Sequence, residues 1–211
     1  SESQLRLTTN APLTYIINSQ DFVVSDTIYF SLNYGSPLEA PLEETVENFY
    51  NKTRKYWEQW AKATAIGFFH QKAILRSALV LKLHQYEDTG GIIASGSMAL
   101  PEFDGSGRNW DYRYCWMRDT FYTLNAFNNI GHFDELEEYF HYIRNIISTE
   151  KERAQPLYGI TANKKITEVE LDYLDGYRGN KPVRLGNAAY THIQNDIYGQ
   201  VLAALLPLYI D

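Results

Sequence analysis

Gly107-Arg108-Asn109-Trp110-Asp111-Tyr112-Arg113-Tyr114-Cys115-Trp116-Met117-Arg118-Asp119-Thr120 is the stretch on which the reading of this chain turns. Its fourteen residues hold two Trp, two Tyr, three Arg and two Asp. A core strand would not carry five charges, and a solvated loop would not carry four large aromatics. Aromatic rings cover the apolar faces of a sugar while their polar tips stay wet. Arg supplies a rigid fork of donors, and Asp accepts from hydroxyls. In an extended conformation Trp110, Tyr112, Tyr114, Trp116 and Arg118 share one side, and Asp111, Arg113, Cys115, Met117 and Asp119 the other. A polyhydroxylated ligand fits this mixture best, and a nucleotide base fits it less well. The competing reading is a buried aromatic hub whose charges pair internally.

Composition narrows the classes. The chain has 211 residues, 45% hydrophobic and 15% aromatic, with 17 Tyr. That is enough for one domain or one and a half. A net charge of -7 argues against nucleic acid, whose phosphates need a basic face. The single Cys allows no internal disulfide, and no Cys/His cluster has metal-ligand spacing. Cys115 reads as a buried thiol. The run Val201–Ile210 contains Pro207 and is far shorter than the ~20 residues of a membrane span. No membrane partner, no metal and no cofactor is therefore expected. No secretory leader is visible at the start, so a cytoplasmic location is expected; the first residue is not Met.

Working outward, residues 1–34 read as short strands: Leu5 and Leu7, Thr14–Ile17, Phe22–Val24 and Thr27–Leu32, separated by turn residues. Residues 34–41 form a linker. Val46, Phe49, Tyr50, Thr53, Tyr56, Trp57 and Trp60 then recur at three- and four-residue steps. They predict a helix to about Lys62 whose aromatic stripe packs into a core. A second helix is expected from about His70 to Tyr86, ended by Asp88-Thr89-Gly90-Gly91; His70 and His84 read as surface or cap residues. A third runs from Thr120 to Asn128 with Phe121, Leu124 and Phe127 inward. A fourth runs from Phe133 to Ile147 with Phe133, Leu136, Phe140, Ile143 and Ile147 inward. Its Asp134, Glu135, Glu137 and Glu138 suit the helix dipole and read as a solvated face. Residues 148–187 are irregular, and a loop of that length is usually functional. Arg178 and Arg184 either reach a cleft or pair with Glu168 and Glu170. A fifth helix is expected from Ala188 to Leu206, with Ile193, Ile197, Val201, Leu202 and Leu205 inward.

The string R-N-W-D-Y-R-Y-C-W-x-R-D resembles the signature of glycoside hydrolase family 15, the glucoamylase and trehalase-like enzymes. Ser77–Lys82, Thr89–Ala94 and Leu100-Pro101-Glu102 precede it in the family's order. Gly176-Tyr177-Arg178-Gly179, Pro182–Asn187 and Gln194–Gly199 follow it. The resemblance implies a mainly α chain, part of an (α/α)6 toroid, preceded by a few antiparallel strands from the end of an N-terminal β-sandwich. It divides the chain into residues 1–36 and 37–211. It implies an inverting α-glucoside hydrolase that releases glucose from α-glucan, oligosaccharide or trehalose ends.

By the same resemblance Arg118 and Asp119 hold the hydroxyls of the terminal glucose in the −1 subsite. Tyr112 and Trp116 line it, with Trp110 and Asp196 as further substrate-binding residues. An inverting enzyme needs an acid and a base ~6.5–9.5 Å apart. The family's acid lies in a Trp-Glu motif, and no Trp follows Trp116. Both catalytic carboxylates are therefore expected beyond Asp211. Glu102, Asp111 and Asp119 are not assigned that role. Residues 1–211 alone are expected to be inactive, and a half-toroid would expose apolar surface and self-associate as a homo-oligomer. Ala94–Ala99 and Gln200 depart from the family's usual residues, which leaves glucan against trehalose open. The alternatives are a non-catalytic carbohydrate-binding module and a helical scaffold whose aromatics only pack.

Overall fold

The computed structural model describes residues 4–149 and 153–210. The chain forms two compact units, Ser1–Lys62 and Ala63–Asp211. It is mostly helical, with small two-stranded antiparallel sheets.

In the first unit β1 (Leu5–Thr9) pairs with β2 (Phe30–Tyr34), from Leu5 opposite Tyr34 to Thr9 opposite Phe30. The Asn10 side chain ties the intervening loop, donating to the Thr27 carbonyl and accepting from the Tyr29 amide. Thr14–Ile17, expected as strand, is instead part of a short helix, α1 (Leu13–Ile17). Pro12 explains the change. Its fixed φ of -63° suits the residue that opens a helical turn. Its carbonyl accepts from the Tyr15 and Ile16 amides. β-branched preference is contextual and yields to such local bonding. Phe22–Val24 also lies outside any strand, and Tyr15 stacks on Phe22 with ring centres 5.8 Å apart.

Helix α2 (Leu42–Ala63) begins at the expected place, with Glu43 and Glu44 in its first turn and Lys62 in its last. Both favour the helix through its dipole. Its aromatic stripe is not a buried core, because no α2 residue is buried. Tyr56, Trp57 and Trp60 instead contact one another edge-on, at 5.3 and 6.2 Å between centres.

The second unit carries the core. Helix α3 (Gln71–Lys82) ends earlier than the Gly90-Gly91 signal suggests. Residues 83–93 instead turn back on themselves. The Tyr86 amide donates to the Gly91 carbonyl, and the Ile93 amide to the His84 carbonyl. Gly90 sits in this turn at a φ of +79°, where a Cβ would collide with the Glu138 carbonyl. Strand β3 (Met98–Pro101) pairs with β4 (Asn109–Asp111). After β5 (Cys115–Trp116) the chain enters α4 (Met117–Asn129), which starts three residues before Thr120. Helix α5 (Asp134–Thr149) follows. Three short strands, β6 (Leu157–Tyr158), β7 (Val169–Glu170) and β8 (Arg184–Leu185), organise the irregular region. β6 pairs with β5, and β8 with β7.

The expected fifth helix is shorter than read. Ala188–Thr191 is a 3-10 turn, capped by the Asn187 side chain accepting from the Ala189 amide. The helix proper, α6 (Asp196–Leu205), starts later. Ile193 and Leu202 are accordingly exposed, while Ile197 and Leu205 are buried. Helix α4 packs against α3, α5 and α6. Among the described residues these helices do not close a ring.

The buried face of α5 is Glu135, Leu136, Tyr139, Tyr142, Ile143 and Ile146. That corrects the expected stripe, since Phe133 and Ile147 are exposed. It also corrects the reading of Glu135 as solvated. Its side chain is 3% exposed and pairs with Lys82 at 3.1 Å. No helix of the described residues is long and apolar enough to cross a membrane.

Candidate functional site

Strand alternation sets the site. In β4, Asn109 and Asp111 point inward and are fully buried, while Trp110 is half-buried. The Asp111 carboxylate accepts two bonds from the Arg113 guanidinium, both at 2.9 Å, and one each from the Arg113 and Gly186 amides. The Asn187 side chain donates to the Asp111 carbonyl. Asp111 therefore organises the wall from inside and is not available to a ligand.

Trp110 and Tyr112, on the other side, line a cavity of about 480 Å³ together with Trp116, Arg118, Glu102, Arg108, Glu168, Asn187, Ala188, Ala189, His192 and Gln194. That volume is within the ~300–1,000 Å³ of small-molecule sites. Tyr114 leaves the row and packs on the cluster of Trp116, Leu157 and Ile166. Residues 112 and 114 are held by the neighbouring loop, whose Ser95 and Ala94 amides donate to their carbonyls.

The floor and rim differ in character. Trp116 is 8% exposed, fixed by the pairing of β5 with β6. Arg118 lies in the first turn of α4, its guanidinium carbon 5.2 Å from the Trp116 ring centre. It pairs with Asp119 at 3.2 Å, the two side chains being 43% and 40% exposed. This pair is open to solvent beside a cavity and is not sealed in the core. Asp119 and Asp196 are not among the residues lining the cavity; Asp196 is exposed at the start of α6, and Gln194 just before it does line it.

The hairpin joining β3 to β4 brings the next group. Glu102 pairs with Arg108 at 2.7 Å and accepts from the Trp110 indole N–H at 3.3 Å. Tyr112 lies within reach of both charge pairs. Burial raises its phenol pKa, as do Glu102 and Asp119, while Arg108 and Arg118 oppose the rise.

Arg184 settles the alternatives left open for it. It pairs with Glu168 at 3.3 Å and Glu170 at 3.1 Å, and donates to the Gly107 and Asn109 carbonyls. Arg178 instead lies over the Tyr177 ring. Glu168 also accepts from the Ala188 amide. Glu168, Asn187, His192 and Gln194 were missed as site residues: Glu168 and Asn187 come from the irregular region, where no periodicity marks a face, and His192 and Gln194 fall in the stretch read as the start of the fifth helix, which the structure leaves non-helical before Asp196. The length of the irregular region was the available signal. Cys115 is fully buried, and burial pushes its thiol up to about 12.

The comparisons with known proteins agree with the signature. A trehalase of Thermoplasma acidophilum is 39% identical over 154 residues, 73% of this chain and 26% of its own length. A trehalase of Mycolicibacterium smegmatis is 33% identical over 213 residues, 96% of this chain and 31% of its own. Trehalase 2 of Sulfolobus acidocaldarius is 31% identical over 210 residues, 98% of this chain and 35% of its own. The chain thus spans between about a quarter and about a third of the length of these relatives. No solved structure matches. The family described as "Glycosyl hydrolases family 15" matches residues 69–210, a span that contains every residue lining the cavity. With its signature and its cavity wall inside that match, the chain belongs to glycoside hydrolase family 15.

Proposed function

We propose that this chain forms the sugar-gripping wall of an inverting α-glucoside hydrolase acting on trehalose-type disaccharides. The observation that carries the proposal is the convergence of Trp110, Tyr112, Trp116 and Arg118 on one cavity, with the half-exposed Arg118–Asp119 pair at its edge. Trp116 offers a dry face for a pyranose ring. Arg118 and Asp119 offer charged partners to its hydroxyls. The trehalase names of the relatives support a disaccharide over a long glucan. Asp196 is kept as a substrate contact of the complete site.

The chemistry needs an acid for the leaving oxygen and a base for water. Neither role is assigned within residues 1–211. Asp111 is locked by Arg113, and Glu102 and Glu168 are each held in ion pairs. Residues 1–36 are read as the end of a β-sandwich domain and 37–211 as the N-terminal part of an (α/α)6 catalytic barrel.

Glucose release from α,α-trehalose, maltose and longer α-glucans by the complete gene product tests this reading. Release from trehalose with inversion at the anomeric carbon is expected. Absence of glucose from every α-glucoside, with binding intact, would leave the carbohydrate-binding module as the function.

A further inference from the structure

Four successive amides, from Ile93 to Gly96, fix the loop between α3 and β3. Ile93 donates to the His84 carbonyl at 3.0 Å, Ala94 to the Tyr114 carbonyl at 2.9 Å and Ser95 to the Tyr112 carbonyl at 3.0 Å. Gly96 donates to the Nε2 atom of the His84 ring at 3.1 Å. His84 thus takes the two outer amides, one on its backbone and one on its ring. The signature segment takes the two inner ones.

We propose that His84 is a positioning residue for the cavity. Its neutral ring clamps this loop against the backbone of Tyr112 and Tyr114, and so sets where the Tyr112 side of the wall stands. The effect on a ligand rests on the reading of the cavity as a sugar site; the clamp itself does not.

Three observations carry it. First, the bonds define the state of the ring. Nδ1 lies 2.7 Å from the Val80 carbonyl, which can only accept, so Nδ1 carries the proton. The Gly96 amide can only donate, so Nε2 is bare. A ring with an acceptor at one nitrogen and a donor at the other is held in one orientation.

Second, residues 112–114 need outside support. They lie between β4, which ends at Asp111, and β5, which begins at Cys115. Carbonyls outside strand pairing require other donors, and the Ser95 and Ala94 amides supply them. Tyr112 lines the cavity. Tyr114 and Ala94 both pack on the cluster that contains Trp116. A shift of the loop therefore reaches the wall through Tyr112 and the floor through Tyr114.

Third, the loop has little else to hold it. Ala94, Ser95, Gly96 and Ser97 offer small apolar areas, so burial contributes little to fixing them. The Ser95 and Ser97 hydroxyls bond each other at 2.8 Å, which shapes the turn without attaching it to α3. The Gly96 bond to His84 does attach it. This is also the stretch that departs from the usual residues of the family.

The competing role for His84 is a cap, since its Nδ1 bond meets a carbonyl in the last turn of α3, where such groups lack helical partners. Two replacements separate the roles. In His84→Asn the side-chain amide occupies the Nδ1 position, keeping the Val80 bond and losing the one to Gly96. In His84→Gln the side-chain carbonyl reaches the Nε2 position and accepts from Gly96.

Both variants are made in the complete gene product. Deuterium exchange of the peptide covering residues 93–97 reads the clamp, and steady-state kinetics on α,α-trehalose read the wall. Exchange in α5 checks that each variant is folded. His84→Asn should speed loop exchange by ~10-fold, the effect of about one hydrogen bond. It should raise KM by ~5–10-fold with kcat within ~2-fold, because a displaced wall weakens binding of substrate and transition state alike. His84→Gln should bring both measurements to within ~3-fold of wild type. A His84→Gln protein that does no better than His84→Asn in either measurement overturns the assignment. If wild type releases no glucose, the sugar reading falls, and the exchange result alone decides the clamp.

Discussion

The guanidinium carbon of Arg184 lies 4.6 Å from the ring centre of Trp110. Trp110 lines the cavity and Arg184 does not, so this cation–π contact supports the wall from the protein side. Arg184 is 13% exposed and also binds Glu168, Glu170 and two carbonyls of the signature segment. Arg184→Met should cost about 2–4 kcal/mol, because it strands the part-buried Glu168 carboxylate. Urea unfolding measures it. A loss under ~0.5 kcal/mol, the level of an ordinary surface change, would mean that Arg184 does not brace the wall.

Arg118→Ala and Asp119→Asn should act differently. Their side chains are 43% and 40% exposed, so folding stability should change little. In the complete enzyme each should lower kcat/KM on α-glucosides by ~10²-fold or more, through lost charged hydrogen bonds to the reacting ring. Near wild-type turnover on every α-glucoside tried would remove both residues from the site.

The pair Lys82–Glu135 is a stability element remote from the cavity. It is 9% and 3% exposed, with Lys82 also bonded to Gln85. Lys82→Met should cost about 3–5 kcal/mol by removing the cation beside a buried carboxylate, and Lys82→Met with Glu135→Leu should regain most of it. A double-mutant cycle on urea midpoints reads this directly, and additive losses would contradict it.

His132 predicts an acid-side loss of stability. It is 6% exposed, bonded to Thr64 at 2.8 Å and facing Glu135 at 3.7 Å. Burial lowers its pKa from the ordinary 6.5, with Lys82 acting in the same direction and Glu135 and Asp134 opposing. A depressed histidine pKa means the unfolded chain binds the proton more readily. Its contribution is complete above the unfolded value and declines as pH falls through the window below about 6.5. Glu138, whose carboxyl pKa burial raises, contributes in the opposite sense as pH rises past its unfolded value. The urea midpoint should therefore fall between about pH 7.5 and pH 5.5, and His132→Gln should fall less. Identical slopes in the two proteins would show that His132 is not the group responsible.

Cys115 should be inert in the native protein. Its thiol is fully buried and pushed up to about 12, with only a bond to Tyr142 opposing. A thiol-specific reagent at about pH 8 should label it only after denaturation, because the thiolate is the reactive form. Rapid labelling of the folded chain would contradict the burial.

Much of the helical skeleton was legible. The runs that became α2, α4 and α5 start and stop within a few residues of their periodicity and capping signals. These are local properties, set by side chains one turn apart. The face each helix buries was less legible. On α5, Tyr139 and Tyr142 are core while Ile147, and Phe133 just before the helix, are exposed. Hydrophobicity alone favours the opposite choice.

The sequence by itself determined the family, the helical runs and the alternation that sends Trp110 and Tyr112 to one side of a strand and Asp111 to the other. All of these follow from residue order and from bonding between near neighbours. Only the tertiary structure decided that Glu102, Arg108, Glu168, His192 and Gln194 share the cavity with Trp116 and Arg118, and that Glu135 is buried against Lys82. Glu168, His192 and Gln194 lie far along the chain from Trp116 and Arg118, as Lys82 does from Glu135, while Glu102 and Arg108 are brought to the cavity by a hairpin. Their meeting depends on how β3 pairs with β4, how the irregular region folds over β5, and which apolar faces exclude water together.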